Sequence, residues 1–261
     1  KVLGSRVLVD GYCLGPQEMG TQVSVLALVA ALTARDDIAE VCVALGGDVP
    51  AYAATVLAHP KVRARRCPPS ELPAVFGYLD VAHRAYQPDH LFDAAAWRAA
   101  ASRVVITVLD LIGYQIGSYH ASTDDWVRYR DALRTSVATA DAVTVISHDV
   151  RDQARLERMP VEDDRLFVVT YGTEHMTGDE TARIPDELLD RGYVAGSFLL
   201  TLGTNYSHKN RDLAVQAHRV LRQRGWDLSL VLAGAFVPFG SSRVDESFSA
   251  HDDHDLFVLP D

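Results

Sequence analysis

Long apolar runs, cysteine motifs and glycine-rich nucleotide signatures are scarce in this chain of 261 residues, and each scarcity excludes a class of protein. The longest apolar stretch, 23–32, is well short of the ~18 residues of a membrane span and predicts a buried helix. The three cysteines show no CxxC spacing, which favours free thiols over a zinc framework. The absence of GxGxxG and Walker A patterns disfavours nicotinamide enzymes and P-loop ATPases.

Positive charge is also in deficit, with 25 basic residues against 35 acidic ones and a net charge of −10. Nucleic-acid binding usually requires a basic face that neutralises phosphates, so we expect no nucleic-acid partner. A small anionic ligand needs only one or two local cations and stays compatible with this balance. Lysine is rare among the basic residues, which makes a lysine inside a motif noticeable: the three are Lys1, Lys61 and Lys209.

The termini give two expectations. No charged, apolar and small-residue leader stands at the start, so we expect a cytoplasmic protein. The chain begins without Met and ends at Leu259-Pro260-Asp261, so we expect a fragment of a longer protein. The hydrophobic share of 48% and the charged share of 23% are typical of globular domains.

Short apolar runs alternate with amphipathic segments along the chain. The predicted strands are 6–10, 41–45, 62–65, 81–83, 104–109, 142–146, 166–169, 198–202, 228–233 and 256–259. The predicted helices are 21–34, 51–58, 125–138, 148–156 (capped by Ser147) and 211–224. Strands that are apolar throughout and alternate with helices indicate parallel sheets covered on both faces, and therefore an α/β fold.

The strand–helix rhythm stops and restarts once, which predicts two domains. Residues 1–173 form the first predicted domain, the polar stretch 174–196 a connector, and 197–261 the second domain. The second domain holds only two strand–helix steps and a strand, about half of a doubly wound domain. We therefore expect it to be incomplete.

The restart carries the most informative motif. A strand ends at Gly203, the polar loop Thr204–Asn210 contains Lys209, and an amphipathic helix follows. Small residues let backbone N–H groups approach a phosphate, and a helix N-terminus favours negative charge. The segment therefore predicts an anion-binding loop in which Lys209 neutralises a diphosphate.

This segment resembles the start of the second domain in glycosyltransferase family 4, a retaining family of the GT-B fold. Five other stretches resemble that family in the same order: 80–87, 107–112, 140–147 (ADAVTVIS), 168–175 (VVTYGTEH) and 230–234 (LVLAG). The resemblance implies two Rossmann-like, doubly wound domains that face a cleft. It also implies sugar transfer from a nucleotide-diphosphate sugar to an acceptor hydroxyl with retention of configuration.

The resemblance also assigns roles to residues. It implies donor binding by a set of loop residues: Gly20, Gly203, Thr204, Asn205, Lys209, Gly234 and Glu174. Tyr86 and Gln87 are the expected acceptor-binding residues, and His83 and Asp110 the expected catalytic ones. The expected acceptor is a glycan, a lipid-linked molecule or a small molecule, and no cofactor or metal is expected to be required. A lipid-linked acceptor is compatible with membrane association, but no basic amphipathic helix supports it.

Departures from the family pattern leave alternatives open. Thr204 stands where many members have Arg, and Leu109 stands where the family commonly has His. The acidic Glu-x7-Glu motif that holds the donor should lie beyond Asp261. A non-catalytic nucleotide-sugar or glycan-binding module, or a nucleotide-sugar epimerase or hydrolase of the same fold, therefore remain alternatives.

Several of these residues can also be interpreted as purely structural. The loop from Gly15 to Gly20 is equally well an ordinary strand–helix turn, and Asp110 a cap for the loop that follows it. His251-Asp252-Asp253-His254-Asp255 combines metal-ligating side chains, but adjacent residues in a polar loop seldom converge on one ion, so a solvated loop is expected. Asp124-Asp125 is expected to begin a helix.

Overall fold

The computed structural model describes residues 4–172, 184–243 and 256–259. The chain divides into two compact units: Lys1–Gln115 with Asp124–Thr173, and Ile116–Thr123 with Glu174–Asp261. The described part of each unit contains one parallel β-sheet. The short segment Ile116–Thr123 therefore groups with the second unit although it lies in the first half of the sequence.

The strands follow the apolar runs of the sequence closely. They are β1 Ser5–Asp10, β2 Ile38–Leu45, β3 Val62–Arg66, β4 Leu79–Arg84, β5 Ala101–Val108, β6 Ala142–Val145, β7 Leu166–Val168, β8 Phe198–Leu202, β9 Ser229–Ala233 and β10 Leu256–Leu259. The helices are α1 Gly20–Thr33, α2 Ala54–Leu57, α3 Leu72–Phe76, α4 Ala94–Ala100, α5 Ile112–Gln115, α6 Thr123–Thr139, α7 His148–Leu156, α8 Asp186–Leu189 and α9 Arg211–Gln223.

The first unit is a parallel sheet of seven strands in the order β3-β2-β1-β4-β5-β6-β7. Side chains alternate between its faces, as the period of two in a strand requires. Leu8 packs in a cluster with residues of α3, α4, α6 and α7, whereas Val7 and Val9 pack with residues of α1 and α2. The sheet therefore has helices on both faces, which confirms the doubly wound α/β arrangement.

The second unit has a parallel sheet in the order β10-β9-β8 among the described residues. Val215 of α9 packs on one face with Leu230 and Leu232. On the other face, Leu188 of α8 and Tyr193 pack around Val231. The described part of the predicted connector, 184–196, thus contributes a helix and two buried side chains to this core.

Two local signals in the sequence are confirmed and several elements were missed. Ser147 caps α7, since its Oγ accepts a hydrogen bond from the Val150 N–H at 3.2 Å. Helix α6 begins at Thr123 with Asp124 and Asp125 in its first turn, as expected. Helices α3, α4 and α5 were not predicted, because segments of four to seven residues are too short to show a helical period.

Among the helices that the structure describes, none has both the length and the apolar composition needed to cross a bilayer.

Candidate functional site

The loops that follow β8 and β9 touch each other at two glycines. The Gly203 N–H donates to the Ala233 carbonyl at 2.9 Å. A Cβ on Gly234 would lie 2.5 Å from the carbonyl carbon and oxygen of Gly203, and both glycines have positive φ, at 127° and 125°. Only glycine combines this conformation with this spacing, so the two strand ends form one tight surface of half-buried backbone.

Lys209 lies over this surface. Its Cε is 3.8 Å from the position that a Cβ on Gly203 would take. No ion pair joins its ammonium group to another described residue, and the Thr204 N–H has no backbone acceptor within the same ranges. Gly203, Thr204, Lys209 and Gly234 are called the glycine cradle below. A lysine and an uncommitted N–H donor make the cradle suited to an anion.

Helix α9 starts directly after Lys209. Asn210 adopts a left-handed conformation, φ 50° and ψ 46°, and its Oδ1 accepts a hydrogen bond from the Leu213 N–H at 3.3 Å. The left-handed residue turns the chain sharply between the Ser207–Lys209 turn and the helix. The cradle therefore lies beside the N-terminus of a helix of 13 residues, where the helix dipole favours negative charge.

Arg211 supports the cradle from inside the unit. Its side chain is buried, and Nη2 donates to the Gly203 carbonyl and to the Ala233 carbonyl, the latter at 3.1 Å. The guanidinium group thus ties the ends of β8 and β9 together. Arg211 was not predicted as a site residue. Its one signal in the sequence is its position in the first turn of a predicted helix, shortly after the motif lysine.

Asn205 was predicted to bind the donor, and the structure places it below the surface. It is fully buried, its Oδ1 accepts from the Val237 N–H at 2.8 Å, and its carbonyl accepts from the Ser242 N–H at 2.6 Å. These bonds join the loop after β8 to the loop after β9. Asn205 therefore shapes the cradle from beneath.

A buried polar cluster lies at the carboxyl ends of β1 and β4 in the first unit. Arg84 donates to Asp10 Oδ2 at 2.9 Å, and the Tyr86 hydroxyl donates to Asp10 Oδ1 at 2.6 Å. The Arg84 guanidinium carbon stacks 3.8 Å from the Tyr86 ring centroid. Burial raises the pKa of Asp10 and that of Tyr86, which keeps the Tyr86 phenol protonated as a donor.

Gln87 and Asp110 are held by the neighbouring backbone. The Gln87 amide accepts from the Leu109 N–H at 2.8 Å and donates to the Tyr129 hydroxyl at 2.7 Å. Asp110 Oδ1 accepts a hydrogen bond from the Ile112 N–H at 2.9 Å. This contact is the one expected if Asp110 caps the loop that follows it. Roles for Tyr86 and Gln87 with an acceptor, and for Asp110 in catalysis, stay predictions.

His83 lies within β4 and is paired in register with Val9 and Val105. Its Nε2 is 3.0 Å from Thr107 Oγ1, whose other neighbour is Thr144 Oγ1 at 2.8 Å. Burial lowers the pKa of His83 to about 4, so the ring is neutral at pH 7. The structure connects His83 to these threonines, and its catalytic role stays a prediction.

The remaining predicted site residues lie elsewhere. Gly20 is the first residue of α1, and space for a side chain is open around it. Glu174 and the segment His251–Asp255 lie outside the described residues. Within the described ranges no group of three or more His, Cys, Asp or Glu side chains is placed to hold a metal ion.

The structure brings the predicted residues together in two separate sets. Gly203, Thr204, Asn205, Lys209 and Gly234 meet in the second unit. Tyr86, Gln87 and Asp110 meet in the first unit, around a pair that sequence analysis missed, Asp10 and Arg84. Both missed residues end a strand, a position at which open parallel sheets commonly place functional side chains.

No protein-family profile matches the chain, and no curated protein matches it in sequence. Solved structures do match its fold. The S. aureus MnaA–UDP structure has a TM-score of 0.58 at 12% identity, covering 98% of this chain and 69% of that one. A glycosyltransferase from Rickettsia africae has a TM-score of 0.53 at 12% identity, with coverages of 99% and 68%.

A third similar structure is the UDP-GlcNAc 2-epimerase from Neisseria meningitidis bound to UDP-GlcNAc. Its TM-score is 0.52 at 10% identity, and the match covers 98% of this chain and 71% of that chain. At these identities the likeness concerns the fold. The chain has the GT-B-like α/β fold of these proteins.

Proposed function

We propose that this protein binds a nucleoside-diphosphate sugar and transfers the sugar to an acceptor hydroxyl with retention of configuration. The observation that carries the proposal is the glycine cradle: two glycine turns in contact, with a lysine over them and a helix N-terminus beside them. Two proteins of similar fold support this ligand class: the MnaA structure contains UDP, and the Neisseria epimerase structure contains UDP-GlcNAc.

The proposed chemistry uses the cradle on the leaving-group side. Breaking the bond between the sugar and the diphosphate leaves negative charge on the β-phosphate. Lys209 and the Thr204 N–H would stabilise that charge as it develops, and the dipole of α9 would add to this. Preorganised donors are effective here because they need no rearrangement when the charge appears.

The first test measures binding of UDP, GDP and ADP to the chain by calorimetry. Lys209→Ala should weaken the affinity for the tightest of these by about tenfold or more, since hydrogen bonds to charged groups are the strongest contacts of this kind. Lys61→Ala is the matched control, because its ammonium donates to the Arg35 carbonyl in the first unit. Equal affinity of Lys209→Ala and the unaltered chain would contradict the proposal.

Epimerisation of a nucleotide sugar is the second candidate function. It is favoured by the similarity to the Neisseria epimerase with its bound UDP-GlcNAc. The cradle would hold the same diphosphate in both reactions, so binding alone does not separate them. Proton NMR of the products does: transfer consumes the donor only with an acceptor sugar and keeps the anomeric configuration, whereas epimerisation inverts a sugar carbon without any acceptor.

A further inference from the structure

We propose that Tyr119 is a positioning residue that holds the Ser207–Lys209 turn and thereby fixes Lys209 for diphosphate binding. The inference rests on the proposed function of the cradle. Tyr119 belongs to the segment Ile116–Thr123 and lies 89 residues before His208, yet the segment packs in the same compact unit as the cradle. This segment is called the strap below.

The Tyr119 hydroxyl makes three contacts with the turn. It accepts a hydrogen bond from the His208 backbone N–H at 3.0 Å. It also lies 2.9 Å from Ser207 Oγ and 3.1 Å from His208 Nδ1. One phenol group therefore restrains both residues that immediately precede Lys209.

The Tyr119 ring adds packing contacts on either side of the turn. Its centroid is 5.3 Å from that of Tyr206 and 5.8 Å from that of His208. A Cβ on Gly240 would lie 2.7 Å from Tyr119 Cδ1, so the ring rests directly on the Gly240 backbone. The Gly240 carbonyl in turn accepts from the Ser207 N–H at 2.7 Å.

These contacts matter because the turn is short and exposed. Ser207, His208 and Lys209 form a single 3₁₀ turn, and all three are exposed. An exposed turn of three residues has few contacts of its own to fix its conformation. A lysine side chain also loses substantial rotamer entropy when it binds a ligand, so prior restraint of its backbone improves affinity.

The experiment compares Tyr119→Phe, which removes only the hydroxyl, with Tyr78→Phe as the control. Tyr78 is an exposed tyrosine of the first unit. Loss of the hydroxyl should weaken UDP binding about five- to tenfold, as loss of one or two hydrogen bonds does. Tyr78→Phe should leave the affinity unchanged. Amide NMR should show shifted signals for His208 and Lys209 in Tyr119→Phe before any nucleotide is added.

A double-mutant cycle distinguishes positioning from a general structural role. If Tyr119 acts through Lys209, then Tyr119→Phe has little further effect on UDP affinity in the Lys209→Ala background. Equal fold losses in both backgrounds, or unchanged affinity of Tyr119→Phe while Lys209→Ala is weakened, would overturn the inference and leave the proposed function standing. Unchanged affinity of Lys209→Ala would contradict the proposed function itself.

Discussion

At Gly234, the methyl group of an alanine would clash with the backbone of the loop after β8. Its Cβ would lie 2.5 Å from the Gly203 carbonyl, and its φ of 125° disfavours any other residue. We expect Gly234→Ala to lower the free energy of unfolding by about 3 kcal/mol, through overpacking and backbone strain together. Nucleotide binding should be lost as well, since the two glycine turns can no longer touch.

Gly225→Ala is the matched control for that prediction. Gly225 also has a positive φ, 87°, but a Cβ there would meet nothing within 4 Å. Strain alone should therefore lower the stability by about 1–2 kcal/mol and leave nucleotide binding intact. Urea unfolding of both variants measures the difference. A Gly234 variant no less stable than the Gly225 variant would refute the close approach.

His83 gives the first unit a predictable response to acid. Its pKa falls to about 4 in the folded chain because of burial, whereas an unfolded histidine has a pKa of about 6.5. Between these values the unfolded state binds more protons, so the free energy of unfolding decreases as pH falls from about 6.5 towards 4. The expected loss across this range is about 3 kcal/mol.

Urea unfolding at several pH values tests the His83 prediction. His83→Gln should reduce the loss of stability between pH 6.5 and 4, because the contribution of the buried imidazole is gone. His90→Gln, at an exposed position, should keep the slope of the unaltered chain. A slope that persists in His83→Gln would show that another group is responsible.

At the scale of the element, α9 depends on Asn210 in two ways. The residue accepts the Leu213 N–H as the helix cap and adopts the left-handed conformation that connects the helix to the Lys209 turn. Asn210→Gly keeps the conformation and loses the cap, at a cost of a few tenths of a kcal/mol. Asn210→Ala loses both and should cost about 1–2 kcal/mol.

Chemical denaturation of the two Asn210 variants gives the stability ranking, and UDP titration shows whether the Lys209 turn moves with the helix start. We expect UDP affinity to fall in the alanine variant more than in the glycine variant. The reverse order in stability would mean that the left-handed conformation contributes nothing to the placement of α9.

Elements were more predictable than contacts between them. Apolar runs predicted the ten strands of the described ranges to within a few residues, since a buried parallel strand is hydrophobic throughout. The Gly203–Lys209 motif was also visible, because its signal is local. By contrast, the contact of Gly234 with Gly203 and the Arg211 bonds join different loops, so neither is visible in the local sequence around these residues.

At the scale of the whole molecule, the α/β fold follows from the alternation of strands and helices, and its GT-B-like character is confirmed by the solved structures. The second sheet has three strands among the described residues, and the match covers 69% of the MnaA structure. That the second domain is incomplete stays a prediction. The strap was not foreseeable, because nothing around Tyr119 distinguishes it from other loop tyrosines.

Because of the strap, the polypeptide enters the second unit twice: first at Ile116–Thr123, after which it returns to the first unit, and again from Glu174 onwards. Neither unit is consequently one uninterrupted stretch of the gene. A fragment that starts after residue 173 would contain Ser207, His208 and Lys209 but would lack Tyr119, whose hydroxyl contacts Ser207 and His208. Separating the two units intact requires a circularly permuted chain, or a synthetic peptide that resupplies residues 116–123 in trans.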